Sequence, residues 1–140
     1  MADDRIAQVE IIIFKMIQGT PLFLLLKRTP DRGGFWQPVT GGVNAGEDFL
    51  LAAKREVTEE TGLSDFLEFL SAIHTFEFES IGYGHRKEYV YGALVKEDSE
   101  VTLSSEHDEM KWCGLEEALE LLKYETNKVG FRKIAQQFQK

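Results

Sequence analysis

The chain has 140 residues and a mass of 16.0 kDa, which suits one domain with its own core and leaves no room for a second. Its 24 acidic and 16 basic side chains give a net charge of −8, which argues against broad binding to nucleic acid backbones, because lysine and arginine supply that affinity. No apolar run approaches the ~20 residues that span a bilayer, and the segment MADDRIAQVE lacks the basic flank and apolar core of a leader. The single Cys113 cannot form an internal disulfide, so we expect a single domain over residues 1–140 in the reducing cytoplasm.

The first half of the chain predicts a strand pair followed by a helix. β-Branched and apolar residues at 9–17 and 22–26 predict two strands joined by a turn. A proline, an aspartate and glycines mark residues 29–34 as a loop, and residues 35–40 form a short extended piece. A helix is predicted from about Asp48 to Thr61, with Gly62 as its left-handed stop.

The second half predicts further strands and two closing helices. Residues 73–78 and 87–96 predict an antiparallel hairpin, whose loop at 80–85 is long enough to reach over a site. Residues 101–103 begin a short strand or extended piece, and a last strand at 110–113 follows a polar loop. Two helical stripes are predicted to pack against the core, namely Leu115, Ala118, Leu119 and Leu122, then Phe131, Ile134, Ala135 and Phe138. This order predicts an α+β domain in which a mixed sheet is covered on both faces.

Three glutamates give the predicted helix an acidic face. Glu56, Glu59 and Glu60 stand at positions i, i+3 and i+4, so they project from one side. Like charges at this spacing destabilise an isolated helix by roughly a few tenths of a kcal/mol per pair. A bound cation would offset this repulsion. Clustered carboxylates without histidine or cysteine ligands nearby favour Mg2+, or Mn2+ as second choice, over zinc. A small polyphosphate that arrives with such a metal is therefore a suitable partner despite the acidic charge.

The stretch GGVNAGEDFLLAAKREVTEETGL resembles the Nudix box. Every specified position of that motif is filled, with Gly41, Glu47, Arg55, Glu56, Val57, Glu59, Glu60, Gly62 and Leu63 in register. A solvated helix face is the alternative interpretation for three glutamates alone. The resemblance implies a Nudix α/β/α sandwich with a mixed β-sheet, in which the helix of the motif packs against the sheet.

The resemblance also implies roles for the residues of the box. Glu56 and Glu60 would be metal ligands, and the Gly41 carbonyl would be a further ligand. Glu59 would be a ligand or a neighbour that orients water. Arg55 is also a candidate catalytic residue. It lies four residues before Glu59 and can hold the Glu59 carboxylate by a charge-assisted hydrogen bond.

Two further assignments concern the surroundings of these ligands. An orienting role for Arg55, shared with Glu47, is favoured over direct catalysis. Nudix enzymes often recruit one more carboxylate from outside the box, and Glu106, Asp108 and Glu109 are close together in the sequence. Glu106 is our choice, as a metal ligand or general base, with a solvated loop acid as the alternative.

Within the Nudix family, the chain is similar to the subgroup that cleaves dihydroneopterin triphosphate and related nucleoside triphosphates. The similarity lies in LLLKR, FWQPVTGGV, the Glu106–His107 pair ahead of Trp112, and Asn127. It implies that Arg28 and Thr40 contact substrate. Trp36 is a candidate to stack on a heterocyclic base, although aromatic residues are more often part of a core.

These resemblances imply a metal-dependent pyrophosphohydrolase that cleaves a nucleoside or pterin triphosphate into a monophosphate and pyrophosphate. The alternative within the family is a hydrolase of dinucleoside polyphosphates or nucleotide sugars. An alternative of another class is a non-catalytic, nucleotide-sensing Nudix-like domain. We expect a monomer or homodimer that binds neither nucleic acid nor membrane.

Overall fold

The computed structural model describes residues 7–80, 82 and 84–139, which form a mixed sheet with helices on both faces. The strands are β1 (Ala7–Ile17), β2 (Thr20–Arg28), β3 (Trp36–Gln37), β4 (Val39–Gly42), β5 (Glu68–Ser80), β6 (Gly84–Leu94) and β7 (His107–Cys113). The helices are α1 (Phe49–Thr61), α2 (Leu115–Leu121) and α3 (Glu125–Phe138), and a 3-10 turn spans Pro30–Arg32. Within the described ranges, none of these helices is long and apolar enough to cross a membrane.

Strand β1 lies at the centre of the sheet and connects its two halves. It runs parallel to β6 over residues 7–14. On its other side, residues 8–11 pair with β4 and residues 14–17 pair with β2, both antiparallel. Strands β3 and β7 then pair with β2, and β5 pairs with β6. This arrangement confirms the predicted strand pair, the hairpin and the mixed sheet.

The two hairpins differ in how well their connections were predicted. Gln18 and Gly19 have φ angles of 50° and 80°, as a two-residue turn between twisted strands requires, so the first turn is confirmed. The loop predicted at 80–85 is too long, because the pairs Glu79–His85 and Ser80–Gly84 continue the ladder. Ile81 and Tyr83, within this predicted loop, lie outside the described residues. The last strand likewise begins earlier than predicted, at His107.

Two hydrophobic cores fill the spaces on either side of the sheet. Alternate residues of β1 point to opposite faces, so Ile11 and Ile13 pack toward α1 whereas Ile12 packs toward α2 and α3. The first core includes Ala52, Ala53 and Val57 of α1, and the second includes Ala118, Leu122, Phe131, Ile134 and Ala135. The predicted apolar stripes and the α/β/α layering are therefore confirmed. The prediction of a single domain over residues 1–140 stays a prediction.

Cys113 lies in the second core and is only 3% exposed. Burial raises the pKa of its thiol to about 11, so the thiol stays protonated at neutral pH. Cys113 thus packs as a small apolar residue of this core.

Candidate active site

Helix α1 fixes the position of the acidic side chains because both of its ends are capped. The Asp48 carboxylate accepts a hydrogen bond from the Leu51 N–H at 3.1 Å. At the other end Gly62 has a φ of 76°, and its N–H donates to the Thr58 carbonyl at 2.9 Å. These caps confirm the predicted start and stop of the helix. Between them, Glu56 and Glu60 are 9% and 4% exposed, so both carboxylates lie at the edge where the helix meets the sheet.

Glu56 lies against the backbone of Gly41 in β4. A Cβ atom added to Gly41 would lie 2.1 Å from the carboxyl carbon of Glu56, whereas one added to Gly42 would have no neighbour within 4 Å. Gly41 therefore has to be glycine for reasons of space, since its φ angle is not positive. Burial raises the pKa of Glu56 to about 7, although Arg55 opposes this shift through a hydrogen bond and its charge.

Arg55 links three of the four glutamates of the box, Glu47, Glu56 and Glu59. Its Nε and Nη2 atoms donate to the two carboxylate oxygens of Glu47 at 2.7 and 3.0 Å. Its Nη1 atom donates to Glu56 at 2.8 Å and to Glu59 at 3.1 Å, and Nη2 also donates to the Gly42 carbonyl at 3.0 Å. The hydrogen bonds from Arg55 lower the pKa of the Glu47 carboxyl. The structure thus brings Arg55 into contact with Glu47, Glu56 and Glu59, and its orienting role stays a prediction.

Glu60 is held by two donors from the segment around the start of β7. The Ser104 hydroxyl donates to Oε1 of Glu60 at 2.5 Å, and Nδ1 of His107 lies 3.1 Å from the same oxygen. Burial opposes ionisation of Glu60, but the hydrogen bonds from His107 and Ser104 outweigh it and lower its pKa to about 2. On its other side, Nε2 of His107 lies 2.9 Å from Nε2 of Gln37 in β3.

Glu106 is the loop carboxylate that the fold brings to the helix. Its carboxyl lies close to that of Glu60, and Arg32 donates to it at 3.1 Å. Burial, followed by the neighbouring Glu60 carboxylate, raises the pKa of Glu106. Asp108 and Glu109 are exposed, and Glu109 pairs with Lys27 instead. The choice of Glu106 among the three acids thus matches the geometry, although its function stays a prediction.

The three predicted substrate residues divide between the two faces of the sheet. Arg28 ends β2 beside His107 of β7, and its buried Nε atom has no hydrogen-bond partner among the described residues. Thr40 pairs with Glu10 on the face covered by α3, and Trp36 packs into the second core with a bridge to Leu122. Their contacts with substrate stay predictions.

Sequence reasoning missed Ser104 and His107, which contact Glu60, and Gln37, which contacts His107. All three lay within segments that the prediction had singled out, FWQPVTGGV and the polar loop. No local spacing connects them, because the contact between Gln37 and His107 joins residues 70 positions apart. Their relation to Glu60 depends on the register of β7 and β3 against β2.

The residues at the site fit a hard divalent cation by their chemistry. In the ranges that the structure describes, no group of three or more histidine, cysteine, aspartate or glutamate side chains already converges tightly enough to hold a metal ion. However, Glu56 and the Glu60–Glu106 pair supply only oxygen donors, and the missing side chain at Gly41 lets the Glu56 carboxyl lie against the β4 backbone. The raised pKa values of Glu56 and Glu106 mean that a cation would displace protons there.

Comparison with known proteins gives one family. A family model described as NUDIX domain matches residues 6–135. An octanoyltransferase of Myxococcus xanthus is 41% identical over 103 residues, which are 73% of this chain but 29% of that protein. The chain thus spans less than a third of this relative's length.

Two other relatives match along most of their length. The asymmetrical bis(5'-nucleosyl)-tetraphosphatase of Mus musculus is 37% identical over 121 residues, which cover 84% of this chain and 80% of that protein. The dihydroneopterin triphosphate diphosphatase of Escherichia coli is 33% identical over 132 residues, which cover 86% of this chain and 87% of that protein.

Solved structures show the same fold. A complex of the Caenorhabditis elegans Ap4A hydrolase has a TM-score of 0.80 at 28% identity and covers 94% of this chain and 96% of that one. The Escherichia coli dihydroneopterin triphosphate pyrophosphohydrolase has a TM-score of 0.81 at 24% identity and covers 98% of this chain and 99% of that one.

Proposed function

The chain belongs to the Nudix family of pyrophosphohydrolases, and from this we propose that it is a Mg2+-dependent enzyme that cleaves a nucleoside or pterin triphosphate into a monophosphate and pyrophosphate. The observation that carries the proposal is the contact between Glu60 of α1 and Glu106, next to β7. A helix face that was merely solvated would not require a second acid to meet it from a distant part of the chain.

The residues around the cation would have separate tasks. Glu56, Glu60, Glu106 and the Gly41 carbonyl would hold Mg2+, or Mn2+ as second choice. When bound, such an ion polarises phosphoryl oxygens and lowers the pKa of a coordinated water. Glu59 would orient the attacking water and accept its proton, a role supported by its 53% exposure and its contact with Arg55 at 3.1 Å. The water oxygen bonds to phosphorus as the bridging P–O bond breaks.

Arg28 is our candidate for holding the phosphate chain. Its buried Nε–H lacks an acceptor among the described residues, which costs about 1–3 kcal/mol. A phosphate oxygen would supply that acceptor and gain a charge-assisted hydrogen bond. Thr40 and Trp36, on the other face of the sheet, would then contact the heterocycle at the far end of the substrate.

A dinucleoside polyphosphate is the second candidate substrate. It is favoured by the 37% identity to the mouse tetraphosphatase, against 33% to the dihydroneopterin relative. A panel of nucleoside triphosphates, dihydroneopterin triphosphate, dinucleoside tetraphosphates and nucleotide sugars, assayed with Mg2+, separates the candidates by their products. A triphosphate yields a monophosphate and pyrophosphate, whereas a dinucleotide yields two nucleotides. Hydrolysis in isotopically labelled water then identifies the phosphorus that is attacked.

Glu60→Gln tests the site itself. The amide keeps the shape of the side chain but removes its charge, so turnover should fall by about 100-fold or more while the fold is retained. Glu120→Gln, at an exposed position of α2, is the matched control and should remain active. Unchanged turnover in Glu60→Gln would refute the site assignment. Nucleotide binding by the wild type without turnover of any substrate would favour a sensing domain instead.

A further inference from the structure

Gln37, His107 and Glu60 form a buried chain of hydrogen bonds that joins β3, β7 and α1. His107 and Gln37 are 6% and 7% exposed, and the Glu60 side chain is 6% exposed. Nε2 of Gln37 lies 2.9 Å from Nε2 of His107, and Nδ1 of His107 lies 3.1 Å from Oε1 of Glu60. The proposed reaction gives no task to His107 or Gln37.

The chemistry of the three groups fixes the direction of both hydrogen bonds. An amide nitrogen can only donate, so Nε2 of His107 must accept from Gln37 and carries no proton. The ring proton is then on Nδ1, where it faces a carboxylate that can only accept. The reverse orientation of the Gln37 amide would place the proton on Nε2 and set the Nδ1 lone pair against Glu60. Only the first arrangement satisfies every group of a neutral ring.

Gln37 is itself held firmly, so it can impose this arrangement on the ring. It pairs with Leu26 across β2 and β3, and the following Pro38 restricts its backbone to extended geometry. Its burial leaves the amide few alternative partners. The tautomer of His107 is thus determined by a strand residue distant from the carboxylates.

The consequence for Glu60 is a fixed carboxylate plane. Ser104 and His107 both donate to Oε1, at 2.5 and 3.1 Å, so rotation of the carboxylate would break two hydrogen bonds. Oε2 accepts neither of these bonds. A carboxylate held in this way presents one fixed orientation to a cation, as is usual for ligands oriented by neighbouring groups.

We propose that His107 is a positioning residue that holds Glu60 ready to bind the divalent cation, and that Gln37 selects the Nδ1–H tautomer in which it does so. This inference rests on the proposed function, because it assumes that Glu60 is a metal ligand. It adds residues from two further elements to the machinery of the site.

Mn2+ binding to the full chain without substrate tests the role of His107 independently of turnover. His107→Phe removes both ring nitrogens, and it should weaken Mn2+ binding by about 10-fold or more. His107→Asn can keep an N–H donor near the position of Nδ1, so it should restore most of the affinity. His85→Asn, at an exposed histidine on β6, is the matched control and should bind as the wild type does.

A long-range proton–nitrogen NMR spectrum of the metal-free wild type tests the tautomer and does not depend on whether a variant folds. Signals that are lost in His107→Asn identify the ring, and they should show Nδ1 protonated. Protonation at Nε2, or equal Mn2+ affinity in a folded His107→Phe variant, would overturn the inference. A wild type that binds no Mn2+ would instead refute the metal-dependent function on which the inference rests.

Discussion

The Glu56 carboxyl occupies the space that a side chain at residue 41 would fill. The backbone of β4 and the edge of α1 approach so closely there that an added Cβ would lie 2.1 Å from Cδ and 2.4 Å from both oxygens of Glu56. Because the side chain is also held by Arg55 at 2.8 Å, moving it away from residue 41 would strain that hydrogen bond. Gly41 thus contributes to the site through space, in addition to the ligand role that we propose for its carbonyl.

Gly41→Ala should therefore reduce activity strongly and disturb the fold only slightly. The carboxyl of Glu56 would have to move by more than about 1 Å, and a displacement of that size can cost about 100-fold in rate. We expect kcat to fall by about that factor. Gly42→Ala is the matched control, because its Cβ meets nothing within 4 Å. Equal kcat values for the two variants would show that the close approach of Gly41 and Glu56 does not affect catalysis.

Glu10 and Glu88 form a buried acid pair on the other face of the sheet. Glu10 is fully buried and Glu88 is 4% exposed, and the Asn127 amide donates to Oε1 of Glu10 at 2.7 Å. Burial, followed by the charge of Glu88, raises the pKa of Glu10 well above its ordinary value. Among the described residues, neither Oε2 atom has a hydrogen-bond donor, and a proton shared between the two carboxyls would satisfy the pair.

Stability should consequently fall as the pH rises above the ordinary carboxyl value of 4.5 toward the raised pKa of Glu10. In that window the folded chain keeps a proton that the unfolded chain has lost, so unfolding releases it and is favoured by higher pH. The free energy of unfolding falls by about 1.4 kcal/mol for each unit by which the pKa is raised.

Glu10→Gln should flatten this pH dependence. Its amide can accept from Asn127 and donate to Glu88, as protonated Glu10 does. Urea unfolding at pH 5 and pH 8 should show a smaller difference for the variant than for the wild type. Glu97→Gln, at an exposed turn, is the control and should keep the wild-type slope. Parallel profiles for wild type and Glu10→Gln would contradict a proton held by this pair.

At the scale of elements, helix α3 depends on close contact with the sheet. A Cβ added to Gly130 would lie 2.6 Å from Cδ1 of Ile12 and 2.9 Å from Cγ1 of Val90. Both neighbours are fully buried, and Val90 is stiff because it branches at Cβ. Glycine therefore sets the distance between α3 and the strands β1 and β6.

Gly130→Ala should destabilise the protein although alanine favours helices. The gain in helix propensity is about 1 kcal/mol, whereas overpacking a tight core costs about 1–3 kcal/mol. We expect a net loss of about 1 kcal/mol in the free energy of unfolding, measured with urea. Gln136→Ala, at an exposed position of α3, should change stability little. A more stable Gly130→Ala variant would mean that α3 can move away from the sheet at little cost.

The whole molecule carries a net charge of −8 and gathers part of it at the edge of α1. Arg55 pairs with Glu47, Glu56 and Glu59, and Arg32 pairs with Glu106, whereas Glu60 is held by Ser104 and His107. This excess of carboxylates is what a divalent cation would offset. Ion binding should therefore stabilise the entire fold and not the site alone.

Mg2+ or Mn2+ should raise the melting temperature of the wild type. An ion at 100 times its Kd adds about 2.7 kcal/mol to the free energy of unfolding. NaCl at equal ionic strength is the control, because screening alone also reduces the repulsion among surface charges. Glu60→Gln should lose most of the specific increase. A melting temperature that responds equally to MgCl2 and NaCl would argue against the cation site.

The sequence by itself determined the features that depend on local spacing. A period of 3.6 residues placed Glu56 and Glu60 on one face, and the capping residues Asp48 and Gly62 located the ends of α1. The apolar stripes of α2 and α3 were predicted in the same way. The motif around α1 then led to the family, and its known fold supplied the layering that periodicity alone does not give.

Tertiary structure decided which distant residues meet those carboxylates. Glu60 contacts His107 across 47 positions, and His107 contacts Gln37 across 70, so no local pattern records either contact. Strand register also selected Glu106 over Asp108 and Glu109, and it placed Thr40 on the face opposite α1. Hydrogen-bond ladders between strands are non-local, and a shift of one residue turns each side chain to the other face. For that reason the sequence defined the acidic helix, whereas only the folded sheet decided what surrounds it.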